Sequence, residues 1–322
     1  MAPASVFITG AAGFMGTALG ERFRSLGSEV RGVDLNAGEN PEIVEGDVSE
    51  PGDWQRHAEG CELVIHTAAV TAMYSSRDGY WEGNVVAPRR ALDAAIAAGA
   101  KRLVHVSSVT VFGFDFEGEV DERTPVQPNG NYYVDTKIAS EQVVLSAHAE
   151  GEIPCTIVRP GEVYGPRSRG WTVEAVRALK ARRMVLPAGG RGLISPVYVD
   201  DLIDGIVRAA TVPEAAGRIF ILTGPGPATI GEFMGHYCRM LGIGGPLTAP
   251  TAVVRQGVRA MAAATRLRGQ RSKLSPAVVD SLTRRGSYSI RRARETLGYE
   301  PAHDLEAGMR ATEQWLRSTG LL

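Results

Sequence analysis

Ser5-Val-Phe-Ile-Thr-Gly-Ala-Ala-Gly-Phe-Met-Gly16 decides the fold. Ser5–Thr9 is a short apolar run and reads as a buried strand. Gly10, Gly13 and Gly16 follow it at once, and a helical pattern over 14–26 starts inside them. Glycine at these positions permits a tight turn, close approach of a pyrophosphate and close packing of helix on strand. The helix N-terminus adds free N–H groups and a partial positive charge. Ala12, Phe14 and Met15 complete the turn and are expected to border the same phosphates.

Outward from this turn, β and α patterns alternate. Strands are predicted at Glu29–Asp34, Leu63–His66, 102–107 and 155–159, and helices at 85–98 and 131–149. The strands are nearly continuous in apolar residues, which indicates a parallel sheet covered on both faces. The expectation is an α/β fold, a Rossmann-type doubly wound parallel sheet, with a smaller α/β C-terminal lobe. Residues 1–165 are assigned to the nucleotide-binding part, with parts of 195–223 returning to it. Residues 166–194 and 224–322, broken by Pro and Gly, are assigned to the substrate lobe.

Composition excludes several classes. Of 322 residues, 44% are hydrophobic and 22% charged, as in ordinary soluble domains. A net charge of −1 gives no overall basic field for nucleic acid. No signal-like start and no apolar run long enough to span a bilayer is present, so a cytoplasmic protein is predicted. Cys61, Cys155 and Cys238 are scattered and read as buried thiols, with no metal site expected.

Asp34 ends the second strand, 18 residues after Gly16. A carboxylate there accepts hydrogen bonds from both adenosine ribose hydroxyls and repels a 2′-phosphate, so NAD is predicted over NADP. Asp47 and Val48 could meet the adenine edge, with a plain turn aspartate as the alternative. Ala68 and Ala69 offer small side chains where the cofactor would pass. His66 reads as a packed strand residue.

Tyr133-Val-Asp-Thr-Lys137 sets a phenol and an ammonium one helical turn apart on one face. The ammonium is expected to lower the phenol pKa and fit it for proton transfer. Only four of the 35 basic residues are Lys, so a Lys beside this Tyr carries more weight. Ser108 ends the 102–107 strand, at the edge where open α/β sheets bind ligands. Ser108, Tyr133 and Lys137 form the candidate catalytic triad.

With four motifs in order the chain resembles the extended short-chain dehydrogenases/reductases. They are the glycine turn, Ser107-Ser-Val-Thr-Val-Phe-Gly113, Tyr133-x-x-x-Lys137 and Arg159-Pro-Gly-Glu-Val-Tyr-Gly-Pro166. The resemblance implies hydride transfer with Tyr133 as general acid/base. Lys137 would hold the nicotinamide ribose, and Ser108 rather than Ser107 would position the substrate oxygen. It also implies that Asn84, opening the helix under the site, shapes the pocket, and that Pro160–Val163 lines the nicotinamide. By analogy a homodimer is expected.

Val109-Thr110 after the Ser replaces the acidic pair usual in sugar-nucleotide dehydratases. No Arg stands in Leu193–Val197, which weakens the epimerase reading, although Arg191 lies just upstream. Thr71, Met73, Ser108, Val109, Thr110, Tyr133, Gly161 and Arg191 are the candidate substrate contacts. Tyr74, Tyr80, Trp81, Phe112, Phe114 and Trp171 join Met73 as an apolar, aromatic set. The C-terminal Leu297-Gly-Tyr-Glu-Pro301 is similar to the 3β-hydroxysteroid dehydrogenase-like branch. That likeness implies an apolar steroid-like or long-chain hydroxy acid substrate, with a UDP-sugar 4-epimerase as the alternative and a non-catalytic NAD-sensing protein as a third reading. Segment 250–273 reads as an amphipathic helix packed on the lobe, or as a weak membrane-surface contact.

Overall fold

The computed structural model describes residues 2–71, 76–267 and 276–322, so Met73 and Tyr74 lie outside the described residues. The first half runs β1 (Ser5–Thr9), α1 (Phe14–Ser25), β2 (Glu29–Asp34), β3 (Ile43–Glu45) and β4 (Leu63–His66). Then come α2 (Arg77–Trp81), α3 (Ala87–Ala97), β5 (Arg102–Val106), β6 (Glu117–Val120), α4 (Tyr132–Ala149) and β7 (Cys155–Pro160). The second half begins with β8 (Glu162–Tyr164), α5 (Ala175–Lys180), β9 (Val185–Leu186), β10 (Leu193–Ile194) and β11 (Pro196–Tyr198). It continues with α6 (Val199–Thr211), β12 (Ile219–Leu222), β13 (Ala228–Thr229), α7 (Ile230–Met240) and β14 (Leu247–Thr248). α8 (Thr251–Leu267), α9 (Pro276–Ser281), β15 (Arg285–Tyr288), α10 (Arg291–Leu297) and α11 (Leu305–Ser318) complete it.

Seven strands form one sheet in the order β12-β7-β5-β4-β1-β2-β3, and every pairing is parallel. Strand side chains alternate between faces. Phe7 packs with Val64, Leu92 and Val144 on one side. Its neighbours Val6 and Ile8 pack with Leu19, Phe23 and Ile206 on the other. Both faces are therefore dry, as the unbroken apolar runs predict. The sequence order reverses between β1 and β4, and the crevice at that switch is where open α/β sheets take ligands.

The helix predicted over 85–98 begins earlier than expected. α2 runs into a wide turn, Glu82–Val86, of π type, which leads into α3. Asn84 therefore sits inside a continuous helical segment and does not open one.

Short strand pairs carry the remainder: β8 with β11, β10 with β13, β9 with β14 and β6 with β15. An edge-to-face cluster of Trp171, Phe233, Tyr237 and Tyr164 packs their core. Among the described residues, no helix is long and apolar enough to cross a membrane.

Candidate active site

The C-terminal edges of β1, β2, β4, β5 and β7 open into one cleft of about 860 Å³. Gly10, Gly13, Phe14 and Met15 line one end of it, with Asp34, Asp47 and Val48 beside them. Gly10 has φ +69°, a left-handed conformation that disfavours side chains. A Cβ on Gly16 would lie 2.1 Å from the Gly10 carbonyl oxygen, so α1 approaches the turn only because Gly16 has none. The Asp34 carboxylate is aimed by two backbone groups: Ala12 N–H donates to Oδ2 at 3.0 Å and Asn36 N–H to Oδ1 at 3.3 Å. Each oxygen keeps a lone pair for a diol. These residues fit an adenine dinucleotide.

Three of the expected cofactor contacts also hold the scaffold. Ala12 is exposed, spends its N–H on Asp34 and lies outside the cleft. Asn84 is buried and also does not reach the cleft. Its side chain accepts from Val70 N–H at 2.7 Å and donates to Val70 O and Thr136 Oγ1 at 3.1 Å each. It thereby fastens the loop carrying Ala68, Ala69 and Thr71, which do line the cleft, to α4. Asp47 lines the cleft and also accepts from Ser49 N–H at 2.8 Å, so it serves its own turn as well.

At the other end lie Ser108, Tyr133 and Lys137, with Pro160, Gly161 and Val163 from the segment after β7. Asn131 caps α4 by accepting from Tyr133 N–H at 2.9 Å, which seats Tyr133 in the first turn. Lys137 follows one turn later, 3% exposed, and donates to Val106 O at 2.9 Å. Ser108 accepts from Thr110 N–H at 3.2 Å and from Thr110 Oγ1 at 3.0 Å. Its own proton is thus left free on the side of the cleft that Tyr133 lines.

The electrostatics correct one expectation. Burial raises the Tyr133 pKa above its usual 10.0, and Ser108, not Lys137, pulls it back. The reason is shared burial: the Lys137 ammonium faces a carbonyl, and desolvation brings its own pKa down to about 8. Beneath it, His66 and His105 stack with centroids 5.4 Å apart. Burial, aided by Lys137, takes His66 down to about 3 and His105 well below its usual value, so both are neutral. His66 bonds Thr9 Oγ1 at 2.8 Å, the packed role expected of it.

A buried polar network holds α4 against the sheet. Glu141, one turn beyond Lys137, accepts from Arg159 Nε at 2.9 Å and Nη2 at 2.6 Å. It also accepts from Ser107 Oγ at 2.6 Å, so the residue before Ser108 is fixed by the helix that bears Tyr133.

The aromatic set divides. Phe114 and Trp171 line the cleft, together with Val109 and Thr110. Phe112 is core, packed on Tyr288 and under the Arg159 guanidinium at 4.8 Å. Tyr80 is buried against Tyr132, and Trp81 is 52% exposed; neither borders the cleft. Arg191 is exposed and also stands outside it. Among lining residues outside the expected set, Arg169 and Ser281 stand out, and Glu162 of the expected Pro160–Val163 segment gains an ion pair that the sequence does not show. Glu162 pairs with Arg284 Nη2 at 3.0 Å and accepts from Ser195 N–H at 2.7 Å. A pairing across 122 positions leaves no local sequence signal.

A glycine turn, a carboxylate at the end of the second strand and a Ser–Tyr–Lys group share one cleft on one parallel sheet, an arrangement suited to dinucleotide-dependent chemistry. Residues 6–222 match the NAD dependent epimerase/dehydratase family, and the chain belongs to it. It is similar to 2-alkyl-3-oxoalkanoate reductase of Shewanella oneidensis, 25% identical, with 94% of this chain and 84% of that protein covered. It is also similar to sterol-4-alpha-carboxylate 3-dehydrogenase, decarboxylating, of Bos taurus, 25% identical over 70% of this chain and 67% of that one. Among solved structures, epimerase Mth375 of Methanothermobacter thermautotrophicus superposes with a TM-score of 0.82 at 22% identity, covering 99% of this chain and 93% of that one. MoeE5 in complex with UDP-glucuronic acid and NAD gives 0.80 at 23%, covering 98% and 99%. The protein is an NAD-dependent enzyme of the extended short-chain dehydrogenase/reductase type.

Proposed function

We propose that the enzyme interconverts a secondary alcohol and a ketone on an apolar substrate, steroid-like or a long-chain hydroxy acid, with Tyr133 as the general acid/base. The observation that carries this reading is the convergence of Ser108, Tyr133 and Lys137 in one cleft whose neighbouring walls are Val109, Phe114, Val163 and Trp171. NAD, when bound, supplies the hydride chemistry. Tyr133, kept protonated by burial, gives its proton to the carbonyl oxygen in reduction and recovers it in oxidation. Ser108, held by Thr110, donates to the oxygen on which charge develops. Lys137 has two N–H groups left after Val106 and presents them to the cleft for ribose hydroxyls. Residues 166–194 and 224–322 form the substrate side. The reductase and sterol dehydrogenase relatives support this choice.

A nucleotide-sugar epimerase is the second reading, and Arg169 in the cleft wall is the observation that favours it, as a partner for a diphosphate. The deciding experiment is a panel of steroid alcohols, long-chain β-hydroxy acids and UDP-sugars. NADH formation with the apolar alcohols, and a fall of about 10²–10⁴ in Tyr133→Phe with NAD binding retained, is expected. Epimerised UDP-glucose with no NADH from any alcohol would reverse the assignment.

A further inference from the structure

The chain as a whole is nearly neutral, yet two stretches are not. Residues 180–186 and 247–267 together hold Lys180, Arg182, Arg183, Arg255, Arg259 and Arg266, and no Asp or Glu. The fold places them together. Val185 and Leu247 are register partners in the β9–β14 pair, Ala249 N–H donates to Leu186 O at 3.0 Å, and α8 begins two residues later. Lys180, Arg182, Arg183 and Arg259 are exposed, and among the described residues no carboxylate pairs with them.

The sequence reading preferred an α8 whose apolar face packs on the lobe. The structure packs one side of α8 in this way and leaves a second apolar stripe open. Val258 is buried and Val254, Ala262 and Thr265 are half-buried on the packed side, near α9. Val253, Gly257, Ala260, Met261, Ala264 and Leu267 are all exposed. Their spacing puts them on one stripe of the helix, with no charge in it. Val253 is 60%, Met261 52% and Leu267 89% exposed, and Leu247 and Val185 add 39% and 41% beside them. An apolar stripe with unpaired cations nearby, Arg259 beyond Gln256 and Ala263 on the same helix and Arg182 and Arg183 at the start of the β9–β14 edge, matches the layered chemistry of an anionic bilayer surface: acyl chains for the stripe, phosphates for the guanidinium groups.

We infer that α8 and the β9–β14 edge dock the enzyme on anionic phospholipid membranes, with the α8 stripe inserted among the headgroups and Arg182, Arg183 and Arg259 on the phosphates. Arg255 ties α8 to Asp280 of α9 at 2.8 Å, and the next residue, Ser281, lines the cleft. The docked surface is therefore joined to the substrate end of the cleft. The inference does not rest on the substrate assignment, because vesicle binding needs no turnover.

The test sediments the full chain with NAD against vesicles of phosphatidylglycerol and phosphatidylcholine, and against phosphatidylcholine alone. Pelleting with the anionic vesicles at low salt, release as salt rises and none with phosphatidylcholine alone are expected. The triple variant Arg182→Glu, Arg183→Glu, Arg259→Glu should lower partitioning at least tenfold, with NAD affinity and Tm unchanged. Should its Tm fall, Val253→Ser with Met261→Ser serves in its place and should lose at least fivefold. Failure of the wild type to pellet, or equal pelleting of the variants, overturns the inference. Equal binding to duplex DNA would make the patch a general polyanion site. A Val253- and Met261-dependent dimer that ignores vesicles would make it a contact between copies. Either result also overturns it.

Discussion

Replacing Glu141 with alanine is expected to destabilise the fold by about 3–5 kcal/mol, as when half of a buried ion pair is left unpartnered. The carboxylate accepts three charge-assisted hydrogen bonds, at 2.6, 2.9 and 2.6 Å, from Ser107 and Arg159. The Arg159 side chain is 3% exposed, so its guanidinium cannot turn to water. Among the described residues, its Nη1 already lacks a hydrogen-bond partner. After the substitution it keeps the Phe112 ring at 4.8 Å, an interaction worth about 2 kcal/mol when desolvated and less than the charged pair it loses. An unfolding entropy of about 2.1 cal/mol/K per residue gives this chain roughly 0.7 kcal/mol/K. The penalty should therefore appear in calorimetry as a Tm lower by about 4–7 °C. Glu141→Leu combined with Arg159→Met removes both charges at similar volume and should recover most of the loss. A fall below about 1 °C for Glu141→Ala, or a double variant no better than the single one, would refute the reasoning.

Two further outcomes follow from the site. Burial lowers Lys137 from 10.5 to about 8, so between those pH values the unfolded chain binds a proton that the native chain has released. Stability relative to Lys137→Met should therefore rise from pH 8 to 10.5, by about 3 kcal/mol; urea midpoints that stay parallel would contradict it. Asp34→Ala should weaken NAD by about 1.5–3 kcal/mol, roughly tenfold to 150-fold, and narrow its preference over NADP. Fluorescence titration with both dinucleotides reads this out, and a wild type that prefers NADP would remove the basis for it.

What the sequence disclosed is what local physics encodes. The alternation of apolar strands with helices sufficed for the seven-stranded sheet, because both faces of each strand are dry. Gly10 and Gly16 were legible because no side chain fits there, and Tyr133 and Lys137 because helix spacing puts them on one face. Position alone could not tell Phe112, which packs under Arg159, from Phe114, which lines the cleft two residues on. The conversion of α2 into α3 through a π turn has no sequence signature here, so Asn84 was set at a helix start. The Tyr133 direction failed because a four-residue spacing does not say where the Lys137 ammonium points. Glu162 and Arg284 meet only in the folded chain, and Ser281 joins the cleft lining only there.

The Glu162–Arg284 pair also has a consequence in time. Arg284 is made 122 residues after its partner, and at about 5–20 residues per second that is a delay of roughly 6–24 s on the ribosome. During that interval the nascent chain holds the glycine turn, Asp34 and Tyr133, while Glu162 has no cation and Ser281 does not yet exist. A chain interrupted in this window would be left with a bare carboxylate in the wall of the cleft.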